Sequence, residues 1–130
     1  MTKTKTLLAS LLLILASACQ SPFLVFPGKE VVGALSNTDT FAFAKKFSIL
    51  KLETRPSNPY SVFLRVTVIN GQLYIDASPS RRWHRFIQED TFVRIQLGEL
   101  IYTAKAIAVE DPDVKAHFLK NRTIYKIVPR

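Results

Sequence analysis

Asn70-Gly71 is the dipeptide that most constrains how this chain can fold. Both residues accept positive φ, so the pair favours a two-residue type I′ turn, whose twist matches that of antiparallel strands. It lies between SVFLRVTVIN (61–70) and QLYIDAS (72–78). In the first segment Val62, Leu64, Val66 and Val68 alternate with Phe63, Arg65, Thr67 and Ile69. That is the period of a strand with two distinct faces. A β-hairpin over 61–78 follows, and the rest of the chain must be compatible with a sheet.

Most of it is. FSILKLET (47–54) reads as a strand and is followed by the chain-breaking RPSNPY (55–60). TFVRIQLGELIYTAKAIAVE (91–110) predicts a second hairpin turning near Gly98-Glu99, with Val93, Ile95 and Leu97 opposite Arg94 and Gln96. EVVGALS (30–36) and TIYKIVP (123–129) supply a first and a last strand. Two segments carry helical spacing instead. In PSRRWHRFIQED (79–90), Trp83, Phe86 and Ile87 fall at i, i+3 and i+4, with Ser80 as N-cap, or Ser78 with Pro79 in the first turn. DPDVKAHFLKN (111–121) has Pro112 in its first turn, acids early and lysines late, and a stripe of Val114 and Phe118. NTDTFAFAKKF (37–47) fits a short helix capped by Asp39 or a strand with Phe41, Phe43 and Lys45 on one side. Many strands with two short helices in about 100 residues predict a mainly β domain, a small closed or partly closed barrel.

The first eighteen residues do not belong to that barrel. Lys3 and Lys5 precede the uncharged run LLASLLLILASA. The run is shorter than the about 20 residues of a membrane span and suits a signal peptide. The sole cysteine, Cys19, has no disulfide partner in the chain and no neighbouring base to activate it. LASAC resembles the bacterial lipobox, in which the thiol takes up a diacylglycerol and the leader is removed. The organisation expected is a signal peptide (1–18), a lipidated N-terminus with a short linker (19–30) and one domain (31–130). Gln20, where an Asp would favour inner-membrane retention, points to the outer membrane of a cell that has one. Losing Lys3 and Lys5 leaves 18 − 2 = 16 basic against 10 acidic residues, a net charge of +6. That charge suits anionic surfaces such as phospholipid headgroups or acidic envelope polymers; the alternative is solubility charge spread over a small surface.

VFLRVTVINGQLYIDAS, RRWHRFIQED and TFVRIQLGELIYTAKAIAVEDPD, in that order, resemble the split-barrel fold. This fold is shared by pyridoxamine-phosphate-oxidase-like flavoproteins and deazaflavin-dependent nitroreductases, and the likeness covers roughly residues 47–128. It implies FMN or a deazaflavin as cofactor. In the nitroreductase branch an Arg-Lys-Ser-Gly loop helps hold the cofactor. The matching stretch here is Arg55, Pro56, Ser57 and Asn58, in which Arg55 and Ser57 agree. Proline removes an N–H donor and the missing lysine a charge, so the cradle is weakened.

Arg81, Arg82 and Arg85 surround Trp83 and His84 at the start of the predicted helix. Arginines there oppose the macrodipole, which a bound phosphate or carboxylate would reverse. The flavin phosphate of split-barrel proteins is often held by basic residues in such regions. The alternative is that these arginines are solvated, or pair with Glu89 and Asp90, while Trp83 packs. His84 and His117 have no companions at metal-ligand spacing, and no metal site is expected. Glu110, Asp111 and Asp113 read as helix-start acids. No nucleic-acid platform is expected in an exported chain. Two functions stay open: a non-catalytic binding or assembly module at the envelope, and a flavin- or deazaflavin-dependent oxidoreductase. Export and the weakened 55–58 loop favour the first. Apolar residues on both faces of 61–69 and 100–109 further predict a homodimer.

Overall fold

In the computed structural model, which describes residues 29–130, Asn70 and Gly71 both take positive φ, 50° and 76°. They join strand β4 (Thr67–Ile69) to β5 (Gln72–Ala77), with Ile69 opposite Gln72 and Thr67 opposite Tyr74. The other strands are β1 (Ala34–Ser36), β2 (Ile49–Thr54), β3 (Tyr60–Arg65), β6 (Phe92–Leu97), β7 (Leu100–Val109) and β8 (Thr123–Pro129). Gly98-Glu99 forms the second hairpin turn, with Leu97 opposite Leu100 and Gly98 at φ 62°. The helices are α1 (Arg82–Glu89) and the single turn α2 (Pro112–Lys115).

The segment 61–70 is not one uninterrupted strand. It breaks at Val66, whose N–H makes the last bond in the β2–β3 register, to the Ser48 carbonyl at 3.0 Å, before the chain crosses to β5. The break has a topological consequence. Neighbour order in the sheet is β3-β2-β6-β7-β8-β5-β4, with β1 parallel to β7. The two ends of that order, β3 and β4, are joined by Val66 alone, so the sheet has to curl until its edges approach. Val62, Leu64, Val66 and Val68 face inward as the alternation requires. They pack on Leu50, Leu52, Leu73, Ile75, Ile95 and Ile127, each nearly inaccessible to water. A side chain buried this completely contributes about 1.5–3 kcal/mol. A second cluster of Tyr74, Val114 and Ile124, with Phe118 against it, attaches α2 to the barrel.

Several local expectations are corrected. Neither Ser80 nor Ser78 caps α1; its N-cap is Arg81, without a side-chain cap, because Ser78 closes a preceding turn through its carbonyl and the Arg81 N–H. Residues 42–46 form a 3-10 helix whose N-cap is Phe41 rather than Asp39, and the Ala42 N–H bonds the Thr40 hydroxyl. The helix expected over 111–121 keeps only one turn, started by Asp111, whose carboxylate accepts the Asp113 N–H at 2.9 Å.

The first strand is also shorter than 30–36. Residues 29–33 instead form a strap across the outer face of β3, β2 and β6. The Ser61 hydroxyl donates to the Lys29 carbonyl, the Val31 N–H to Glu53 (2.9 Å) and the Gln96 amide to the Val32 carbonyl (2.8 Å). Gly33 passes so close to the Glu99 carbonyl that a Cβ would lie 2.5 Å from its oxygen. Under the strap Glu53 is 1% exposed and receives the Arg94 guanidinium through Nε at 2.9 Å and a terminal nitrogen at 3.1 Å. The hydrogen bond to Glu53 is the main influence raising the Arg94 pKa, so the guanidinium stays charged.

Candidate anion-binding cleft

Because β3 pairs with β2 and β4 with β5, the barrel wall parts where β3 diverges from the end of β5. A cleft of about 580 Å³ lies in this split. One wall is β3, with Tyr60, Val62, Phe63, Leu64 and Arg65. The other combines Asp76 and Ser78, then Ser80, Arg81, Arg82 and Trp83 at the start of α1, and Arg122 before β8. Four guanidinium groups thus face one carboxylate, a balance of 4 − 1 = +3. Asp76 offsets Arg122 weakly, at 3.8 Å. Among the described residues Arg81, Arg82 and Arg85 form no ion pair, and Glu89 and Asp90 do not neutralise them.

Two features of α1 add to the positive field. Its first turn contains no acid, and no side chain caps it, so its leading N–H groups have no capping acceptor. Trp83 lines the cleft while packed into the core at 4% exposure. It is a rigid floor rather than a free stacking surface.

The structure separates the expected site residues. Arg81, Arg82 and Trp83 come together at the cleft; Arg55, Ser57 and Arg85 stand outside it. Arg55 sits over the Phe86 ring, its guanidinium carbon 3.5 Å from the ring centroid, and Arg85 approaches the same ring at 5.7 Å. The Arg55 Nε is buried with no hydrogen-bond partner among the described residues. In the 55–58 loop the Asn58 N–H turns back to the Arg55 carbonyl at 2.8 Å. Pro56 has no N–H, so little of this backbone remains to cradle an anion. Tyr60 links the two regions, lining the cleft and meeting Phe86 edge-on at 5.4 Å. Sequence reasoning missed Arg65, Asp76 and Arg122 as cleft residues. Arg65 carried a signal, as the single charge within an otherwise uncharged strand. Cys19 lies outside the described residues.

His84 turns away from the arginines into the protein, where its Nδ1 lies 2.9 Å from the Tyr125 hydroxyl. Burial lowers the His84 pKa and raises that of Tyr125. The assignment that satisfies both is a neutral imidazole whose Nδ1 accepts a hydrogen bond from the Tyr125 hydroxyl. His117 bonds the Asp113 carbonyl at 2.9 Å. A pH dependence follows from His84. With its folded pKa below the unfolded 6.5, the unfolded chain takes up the proton first as pH falls. Stability is therefore full above 6.5 and declines below it, through the lowered folded pKa. Urea midpoints measured between neutral pH and about pH 5 should fall in the wild type, and fall less in His84→Gln.

No family model matches the chain, and no curated protein matches it in sequence. Solved structures do. The chain is similar to a "Putative Pyridoxamine 5'-phosphate oxidase" from Listeria innocua, with 15% identity and a TM-score of 0.59 over 68% of this chain and 89% of that one. General Stress Protein 26 from Bacillus anthracis gives 19% identity and 0.58 over 70% and 86%. The heme storage protein HutZ from Vibrio cholerae gives 15% and 0.51 over 68% and 85%. At such identities the likeness establishes the fold, a split barrel of mainly β structure with two helices, as the sequence predicted.

Proposed function

We propose that this chain is a bacterial envelope lipoprotein, tethered through Cys19, whose split barrel binds a phosphate- or carboxylate-bearing ligand in the arginine-lined cleft. The convergence of Arg65, Arg81, Arg82 and Arg122, from three separated parts of the sequence, carries this proposal. Like charges gathered at one opening repel each other unless an anion offsets them. Guanidinium forks, the Ser78 and Ser80 hydroxyls and the free end of α1 together supply the donors that a phosphate accepts.

Within this scheme the anion has one specific candidate, the phosphate of a flavin. The cleft suits that end of the molecule, and Tyr60, Val62 and Leu64 offer an apolar wall beside it; the 55–58 loop fits poorly. A bound flavin would supply electron or hydride transfer. The chain's own groups would hold the phosphate and keep water from one side of the ring. A fold neighbour named as a putative pyridoxamine 5'-phosphate oxidase keeps this second function in view.

Calorimetric titration of the mature protein with inorganic phosphate and with FMN, at low and high salt, tests both. Binding of either that weakens as salt rises is expected. Heat from FMN alone, together with a yellow native protein, selects the oxidoreductase. Silence with both ligands overturns the cleft assignment.

A further inference from the structure

The strap fixes where the tether leaves the barrel. Lys29, its first described residue, is bonded to Ser61 on the outer face of β3. Phe63 lies two residues along the same strand, on the same face, and is 64% exposed. Beside it stand Ile49 and Val32, 56% and 78% exposed. Together they border two shallow depressions whose charged residues are Lys51 and Arg65, with no acid among the lining side chains. The Lys51 ammonium sits 5.4 Å from the centre of the Phe63 ring. Aromatic and aliphatic groups flanked by cations are the composition of a surface that meets a lipid–water interface.

We propose that this outer face of β2 and β3 lies against the anionic surface of the bilayer, a placement that rests on the Cys19 anchor proposed above. Ten peptide steps separate Cys19 from Lys29. Fully extended they reach at most about 36 Å, so an acylated Cys19 holds the barrel within that distance of the lipid. The tether leaves on the face that carries the apolar residues, so Phe63 can approach the membrane without the barrel turning over. Charge distinguishes the bilayer from a second copy of the chain. A two-fold contact centred on Phe63 would bring Lys51 and Arg65 of both copies together, whereas anionic headgroups complement them. Phe63 and Arg65 also line the arginine cleft, so its mouth borders the membrane-facing side.

The experiment uses the full acylated protein in vesicles of phosphatidylcholine and phosphatidylglycerol. Phe63→Trp is compared with Leu119→Trp, which places an indole at an exposed site beside α2 and β8. Trp83 is buried and gives a common background. At position 63 the emission should move to shorter wavelength and lose intensity when the lipids carry brominated acyl chains. At position 119 neither change is expected. Acylated protein whose indole at 63 stays as open to aqueous acrylamide as that at 119 overturns the docking and leaves the anchor standing. A blue shift without bromine quenching assigns the face to a second copy and also overturns it. Protein that fails to float with vesicles and shows no acyl mass on Cys19 removes the anchor and the docking together.

Discussion

Replacing Arg94 by methionine should lower the stability of the domain by about 3 kcal/mol, the lower end of the cost of breaking a buried ion pair. The reason lies in what remains. Glu53 is 1% exposed on the outer face of β2, held by two bonds from Arg94 and one from the Val31 N–H. Methionine fills much of the arginine's volume but leaves the carboxylate facing protein with a single donor. The lower end applies because Arg94 itself is 22% exposed, so some water already reaches the pair. For a domain near 100 residues the loss corresponds to a melting temperature lower by on the order of 15 °C. Combining Arg94→Met with Glu53→Gln should recover part of it, since a neutral amide still accepts the Val31 N–H. Thermal melts of the single and double variants supply the check. Equal losses in the two would show that packing of the arginine stem, rather than an abandoned charge, sets the cost.

That ion pair was invisible in the sequence, and the reason is separation. Asn70-Gly71 and Gly98-Glu99 announce their turns because everything that determines them lies within a few residues. Inward and outward positions on β3 and β6 were legible for the same reason: alternation is local. Glu53, by contrast, bonds Val31 across 22 residues and Arg94 across 41. Nothing near residues 29–33 marks them as a strap. The α1 cap was misplaced because serines at 78 and 80 fit the cap preference, yet a β-turn closed between the Ser78 carbonyl and the Arg81 N–H claims that backbone before the helix begins. The cleft shows both limits. Arg81 and Arg82 were found as an unfavourable cluster at a helix start. Arg65 and Arg122 joined them only once the curled sheet brought β3 beside the loop before β8. Arg55, by contrast, sits over the Phe86 ring and does not line the cleft.

The cleft arginines should separate binding from stability, which ordinary structural residues do not. Each guanidinium bond to an anion contributes about 1.5–3 kcal/mol. Arg81→Ala with Arg82→Ala should therefore weaken phosphate or FMN binding by roughly 10²–10⁴-fold. The dependence on salt should become shallower, because fewer cations meet the ligand. Stability of the unliganded protein should move the other way. Arg81 is the N-cap of α1 and Arg82 its first residue, at the positive end of the macrodipole, with no acid in the first turn. Removing both relieves a repulsion of about 0.3–1 kcal/mol each at low ionic strength. Arg85→Ala serves as the control: Arg85 belongs to the same helix but sits near Phe86 and outside the cleft, so affinity should hold. Titration calorimetry and urea unfolding on the same three proteins decide the matter. If affinity falls as far with Arg85→Ala as with the pair, general positive charge attracts the ligand. If the pair loses stability along with affinity, those arginines support the fold and the ligand seat lies elsewhere.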